Sequence, residues 1–170
     1  YAERVCSVRL PSIGFGKKSE IKMYEYDMQG HAAQCVDSYI ELSGQSRNIL
    51  KPVATPCIDD HQLTEADFET PGVLNTEAAK IVLKALYLAR VGRPDILWSV
   101  NTLAREVTKW TQACDKRLLR LMCHISCTQT WTHKAFVGDA VTKCWLAMFV
   151  DAGFASDLRD SKSTSGSYLC

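Results

Sequence analysis

Between residues 78 and 125 apolar side chains return every three or four positions, and that period commits this part of the chain to packed helices. Ala78, Ile81, Val82, Ala85, Leu86 and Ala89 form one stripe, which points to a helix from Asn75 or Thr76 to Arg90. Gly92 and Pro94 end it, and Pro94-Asp95 suits the first turn of a second helix. There Ile96, Val100, Leu103, Val107 and Trp110 follow at spacings of four, three, four and three, a narrow packing seam. A third helix, from about Ala113 to Cys127, turns Leu118, Met122 and Ile125 inward and leaves Lys116, Arg117 and Arg120 on another face. Three helices with short joints make a small antiparallel bundle.

The flanking segments read differently. Val5, Val8 and Leu10 precede a Gly14–Lys18 turn, and the alternating run Ile21–Tyr26 follows, so a hairpin is expected. Asp27 is a good N-cap for a helix ending at Gly44, with Met28, Ala32, Cys35, Val36, Tyr39 and Ile40 on one face. Residues 45–73 hold Pro52, Pro56 and Pro71, are acidic, and lack periodicity. They read as a linker with at most a short helical turn. After Thr130 the pattern becomes extended: Lys134–Val137 meets a Gly138-Asp139 turn, and Thr142–Val150 is apolar on both faces like a buried central strand. A turn from Ser156 to Thr164 and a strand at Ser165–Cys170 complete an unfinished meander. The expected fold is α+β, partitioned at 1–44, 45–73, 74–130 and 131–170.

Composition narrows the function classes. The chain has 170 residues, 46% hydrophobic and 23% charged, as globular proteins do. Its longest uncharged apolar run, Cys144–Val150, is far too short to span a bilayer. It opens on Tyr1 without a basic-then-apolar leader, so processing or excision from a longer chain is expected. The eight cysteines are too sparse for a small disulfide scaffold, and several occupy apolar positions where a free thiol packs as a small hydrophobe. Cys123, His124, Cys127 and His133 hint at a metal site, but no second close cysteine pair completes a zinc pattern. Gly14-Phe15-Gly16-Lys17 lacks the spacing and the hydroxyl residue of a phosphate-binding loop. No nucleophile triad or haem motif occurs, and His31 and His124 fall on helices as packing or surface residues.

A net charge of +1 conceals a segregation. Residues 20–77 carry eleven acidic and three basic groups, whereas residues 84–134 carry nine basic groups against three acidic ones. Such asymmetry can mark a nucleic-acid surface on the basic part. It can equally mean that the two segments face each other.

Two stretches carry more specific information: Tyr87-Leu88-Ala89-Arg90 through Arg93-Pro94-Asp95-Ile96 to Leu103-Ala104-Arg105, and the run from Phe149 to Leu169. With Lys51-Pro52-Val53-Ala54-Thr55-Pro56 upstream, they resemble the Pol polyprotein of copia-type long-terminal-repeat retrotransposons over roughly residues 20–170. The resemblance implies a fragment: the reverse-transcriptase thumb and connection region, then the first strands of ribonuclease H. It also implies an intracellular protein. Arg90, Arg93, Lys109, Lys116, Arg117 and Arg120 would then neutralise phosphates of an RNA/DNA hybrid or another duplex without reading its sequence. Asp151 matches the first aspartate of the family's metal-binding motif, as a catalytic and metal ligand. Gly153 stands where that motif has its second aspartate, Phe154 its tryptophan and Ser156 its glycine.

Mg2+ would be the cofactor of a complete ribonuclease H; this chain by itself is expected to hold none and to be non-catalytic. Asp157 and Asp160 lie in a turn, where solvation is the default. Cys57-Ile58-Asp59-Asp60 mimics a polymerase metal box, yet no apolar strand flanks it, so it reads as a solvated acidic loop. A different class of function is a scaffold role, in which other protein chains cover an open C-terminal sheet, with Cys144, Trp145, Leu146, Met148 and Phe149 at the contact.

Overall fold

In the computed structural model residues 2–8, 19–137, 141–143, 145–153 and 163–169 are described. The fold is α+β, as the sequence patterns require. The chain divides into two compact units, Tyr1–Val5 with Lys22–Phe136, and Cys6–Ile21 with Val137–Cys170.

Helices dominate the larger unit: α1 (Gln29–Ser43), α2 (Glu65–Glu69), α3 (Ala78–Val91), α4 (Leu97–Arg105) and α5 (Gln112–Cys127). The stop signal of α1 behaves as its chemistry dictates, whereas its N-cap is Met28, one residue after the expected Asp27, and carries no side-chain cap. Asp27 Oδ1 accepts the Gln29 N–H at 3.0 Å, and Gly44 ends α1 in the left-handed region at φ 64°, where a side chain would be strained. The apolar stripes meet in one core of Val36, Ile81, Leu88, Ile96, Leu103, Leu118, Met122 and their neighbours. α1 contributes Ala32, Cys35, Val36 and Tyr39, so it is a fourth member of the bundle. Its amphipathic face needed a cover, and α3 and α5 supply it. α4 is shorter than its seam suggests: it stops at Arg105, yet Trp110 is still buried beyond the helix.

Strands β1 (Ala2–Val8) and β2 (Ser19–Tyr26) are neighbours, as the hairpin pattern predicts, and the intervening turn lies outside the described residues. β3 (His133–Val137) completes the sheet in the order β1-β2-β3, although its sequence pattern groups it with the later strands. Side chains explain the pairing: Thr132 Oγ1 donates to Glu25 Oε1 at 2.9 Å, Lys134 Nζ lies 3.6 Å from the same oxygen, and Tyr26 packs on His133.

In the second unit β4 (Met148–Gly153) pairs antiparallel with β5 (Thr164–Leu169). This corrects the buried central strand expected over Thr142–Val150. A 3-10 turn occupies Val141–Lys143, and Trp145, Leu146, Met148, Phe149 and Val150 are all exposed. A two-stranded ribbon has no layer to bury an all-apolar run against, so apolarity alone did not make this strand central.

The acidic segment 45–73 is also more structured than a linker. It holds 3-10 turns at Arg47–Ile49 and Asp60–Gln62 as well as α2, whose capping box pairs Thr64 with Asp67. Its end is locked onto the start of α5. Gly72 N–H donates to Trp110 O at 3.1 Å, and Gln112 N–H to Thr70 O at 2.9 Å. Asp115 accepts from Val73 N at 2.6 Å, Leu74 N at 3.3 Å and Trp110 Nε1 at 2.7 Å.

Gly72 sits inside this lock, where a Cβ would come within 2.5 Å of Thr111 O and 2.6 Å of Trp110 Cδ1. Gly72→Ala is therefore expected to destabilise the protein by about 2 kcal/mol in urea unfolding. Gly30→Ala, in the first turn of α1 with open space around it, should stabilise by roughly 0.5 kcal/mol. Equal effects of the two changes would contradict the lock.

Candidate nucleic-acid interface

The six cations singled out by sequence fall into three environments. Arg90, at the end of α3, and Lys109, in the connection between α4 and α5, are exposed, and no described residue binds either. Arg93 is the opposite case. It is buried, with Nε and Nη2 forking onto the two oxygens of Asp95 at 2.9 and 2.8 Å. Its remaining donors reach Thr128 O at 3.0 Å and Thr128 Oγ1 at 2.7 Å. A guanidinium can be buried only when its planar set of donors is satisfied in this way. Arg93 thus joins the α3–α4 corner to the end of α5 and is not placed to meet a phosphate.

Lys116, Arg117 and Arg120 form a row on one face of α5, and each already holds an oxygen of segment 45–73. Lys116 Nζ reaches Asp67 Oδ2 at 2.6 Å, and Arg117 Nη2 reaches Asp60 Oδ1 at 2.6 Å. Arg120 donates to Thr55 O at 2.9 Å and Thr55 Oγ1 at 3.0 Å. Arg117 also lies over the Phe68 ring, 5.5 Å from its centroid. The segment is therefore an acidic strap docked on the basic helix, and the charge segregation reflects two surfaces that meet. Two sulfur contacts extend the docking: Cys57 Sγ lies 2.9 Å from Ser99 Oγ, and Cys127 Sγ donates to Val53 O at 3.4 Å. Asp59 and Asp60 are exposed, as a solvated loop would have them, but Asp59 accepts the His61 N–H and Asp60 is held by Arg117.

Sequence reasoning missed a cluster beside Arg93. His124 is buried, its Nε2 lies 3.3 Å from Asp95 Oδ2, and its ring meets Trp131 edge-on. Nδ1 of the same ring is buried without a partner among the described residues. Trp131 in turn lies against Arg93, 5.4 Å from guanidinium carbon to ring centroid. Burial opposes ionisation of Asp95, but Arg93 and His124 outweigh it and hold its carboxyl below the ordinary range. An aspartate two residues after an arginine, with a histidine one face of a helix away, is too generic a pattern to announce such a cluster. These partners also separate His124 from Cys123, whose thiol faces Ile49 O, so the cysteine–histidine group does not converge. A groove of about 530 Å3 runs between Thr55–Gln62 and Arg120, but Asp59 and Asp95 on its walls make it a poor seat for phosphate.

Asp151 lies within β4, opposite Gly166 of β5, and is exposed; it does not end a buried strand. Asp157 and Asp160 lie outside the described residues. A pair of divalent cations needs several converging carboxylates. No group of three or more His, Cys, Asp or Glu side chains able to hold a metal occurs among the described residues. No described helix is long and apolar enough to cross a membrane. No protein-family profile, curated protein or solved structure matches the chain.

The hydrogen bond from Lys116, with those from Thr64, holds the Asp67 carboxyl below its usual value. A depressed folded-state value means the unfolded chain binds protons first as pH falls. The strap's contribution is thus complete above the ordinary carboxylate range and fades as pH drops through the folded value. Urea midpoints should fall between pH 6 and pH 3, and Asp67→Asn should flatten that dependence; an unchanged profile would remove Asp67 from the docking.

Proposed function

We propose that the chain is a non-catalytic piece of a copia-type retrotransposon Pol protein whose helical unit engages nucleic-acid duplexes without reading their bases. The observation that carries this reading is the row Lys116, Arg117 and Arg120, which already grips carboxylate and carbonyl oxygens at 2.6 to 3.0 Å. Those distances suit phosphate oxygens equally well. The strap then acts as an internal competitor, and of the six cations Arg90 and Lys109 are available without displacing it. The antiparallel ribbon with Asp151 opposite Gly166 supports the ribonuclease H-like part of the resemblance in strand order. Its side chains supply no catalytic step.

Binding of a B-form duplex and an RNA/DNA hybrid, followed by fluorescence anisotropy, tests the proposal. Log affinity should fall with log salt at roughly −0.9 per phosphate neutralised on B-form DNA, so Arg90 and Lys109 alone give a slope near −2. Asp60→Asn, which releases Arg117, should tighten binding and steepen the slope by about one further phosphate. Arg90→Glu with Lys109→Glu should weaken binding for every base sequence. No binding at low salt, or a strong base preference, would overturn the proposal.

The C-terminal ribbon favours a second reading. Trp145, Leu146, Met148, Phe149, Val150 and Leu169 are exposed around two strands, and an isolated pair of strands is marginal in water. A protein partner that adds a strand to this ribbon would cover them, which makes the chain a scaffold subunit. A monomer by size-exclusion chromatography that binds little hydrophobic dye would count against that role.

A further inference from the structure

A separate feature of the helical unit lies where the C-terminal end of α1 meets residues 73–74 and α5. A cavity of about 260 Å3 opens there, walled by Ile49, Val73, Leu74 and Leu119. Tyr39 also lines it and is 4% exposed. Its hydroxyl has no hydrogen-bond partner among the described residues, and it is not among the side-chain atoms sealed off from solvent. The oxygen keeps some contact with solvent, and the cavity is the space that Tyr39 lines. Burial, with the charge of Asp115 second, pushes the Tyr39 hydroxyl up to about 12, so it remains a donor at neutral pH.

Of the remaining polar groups of the wall, Ser43 Oγ donates to Ile40 O and accepts the Gln45 N–H, and Gln45 itself is exposed. Both Asp115 oxygens are taken by Val73, Leu74 and Trp110, and Lys116 is held by Asp67. Asp115 beside the space disfavours an anion, and the Gln45 amide alone is too small an acceptor set for a cation. An apolar cavity of 150 Å3 already admits benzene, so this one has room for a fused or substituted ring.

We propose that this cavity binds a small uncharged molecule with an aromatic or alicyclic body and one acceptor oxygen, which receives a hydrogen bond from the Tyr39 hydroxyl. Of the cations assigned to duplex binding Lys116 alone lines this cavity, where Asp67 holds it, and the site makes no use of its charge.

Indanone and indane, which share a ring system and differ in one carbonyl oxygen, are suitable probes for the full chain. Titrations followed by amide NMR should shift Val73, Leu74 and Leu119, with indanone binding roughly tenfold tighter than indane. Tyr39→Phe should erase that preference while leaving thermal unfolding nearly unchanged, since the lost hydroxyl bonds no described residue. Leu119→Trp, which fills the space, should abolish binding of both probes. Three outcomes would overturn the proposal: no binding of indanone at millimolar concentration, a preference that survives Tyr39→Phe, or shifts that map away from the cavity.

Discussion

Asp115 is the interaction on which the arrangement of the helical unit depends. It lies in the first turn of α5, where the helix dipole favours a carboxylate, and it accepts two backbone N–H groups and one indole N–H from outside its helix. That one side chain fixes where the strap ends and α3 begins, and it orients Trp110 as the chain enters α5. Removing it would leave three donors in a closely packed corner without acceptors, a larger cost than the value of any one bond. Gly72 belongs to the same constraint, because the two backbones approach too closely there for a side chain.

From that corner the strap runs back across the basic face of α5. In the pair Arg117–Asp60 the guanidinium is largely covered but the carboxylate is half exposed and screened by solvent, so the pair contributes little stability by itself. The pair Lys116–Asp67 differs because Asp67 is buried and also closes the capping box of α2. Charge and local helix formation are therefore tied together: a change that frees Lys116 also loosens α2. The Arg93–Asp95–Thr128 clasp does at the α3–α4 corner what Asp115 does at the start of α5.

Periodicity made the helices legible, and it did so because one face of each had to be buried. Spacing alone assigns Ile81, Val100 and Leu118 to the core, and Gly44 marks the end of α1. What spacing cannot carry is the partner of a surface. The alternation of β2 showed a strand but not that β3 would lie beside it. The charge of residues 84–134 was visible, but whether it faced solvent or segment 20–77 turned on the placement of Thr55, Asp60 and Asp67. Apolarity on both faces misled at Val150, since that pattern describes a strand with layers to either side, and the described ribbon has none. The Tyr39 cavity left no trace in sequence, because Tyr39 fits the helical stripe as well as any packing residue.

The reach of the strap contacts also bears on how the chain acquires its structure. Lys116 meets Asp67 across 49 residues, Arg117 meets Asp60 across 57, and Arg120 meets Thr55 across 65. Contacts this distant in sequence are disfavoured early, because loop closure costs entropy before it returns energy. The helices themselves form from local contacts, so α5 gains its shape before the strap arrives. Segment 45–73 precedes α5 in the chain, so the strap is already synthesised when the three cations appear, and they stay bare only for the time its loop takes to close.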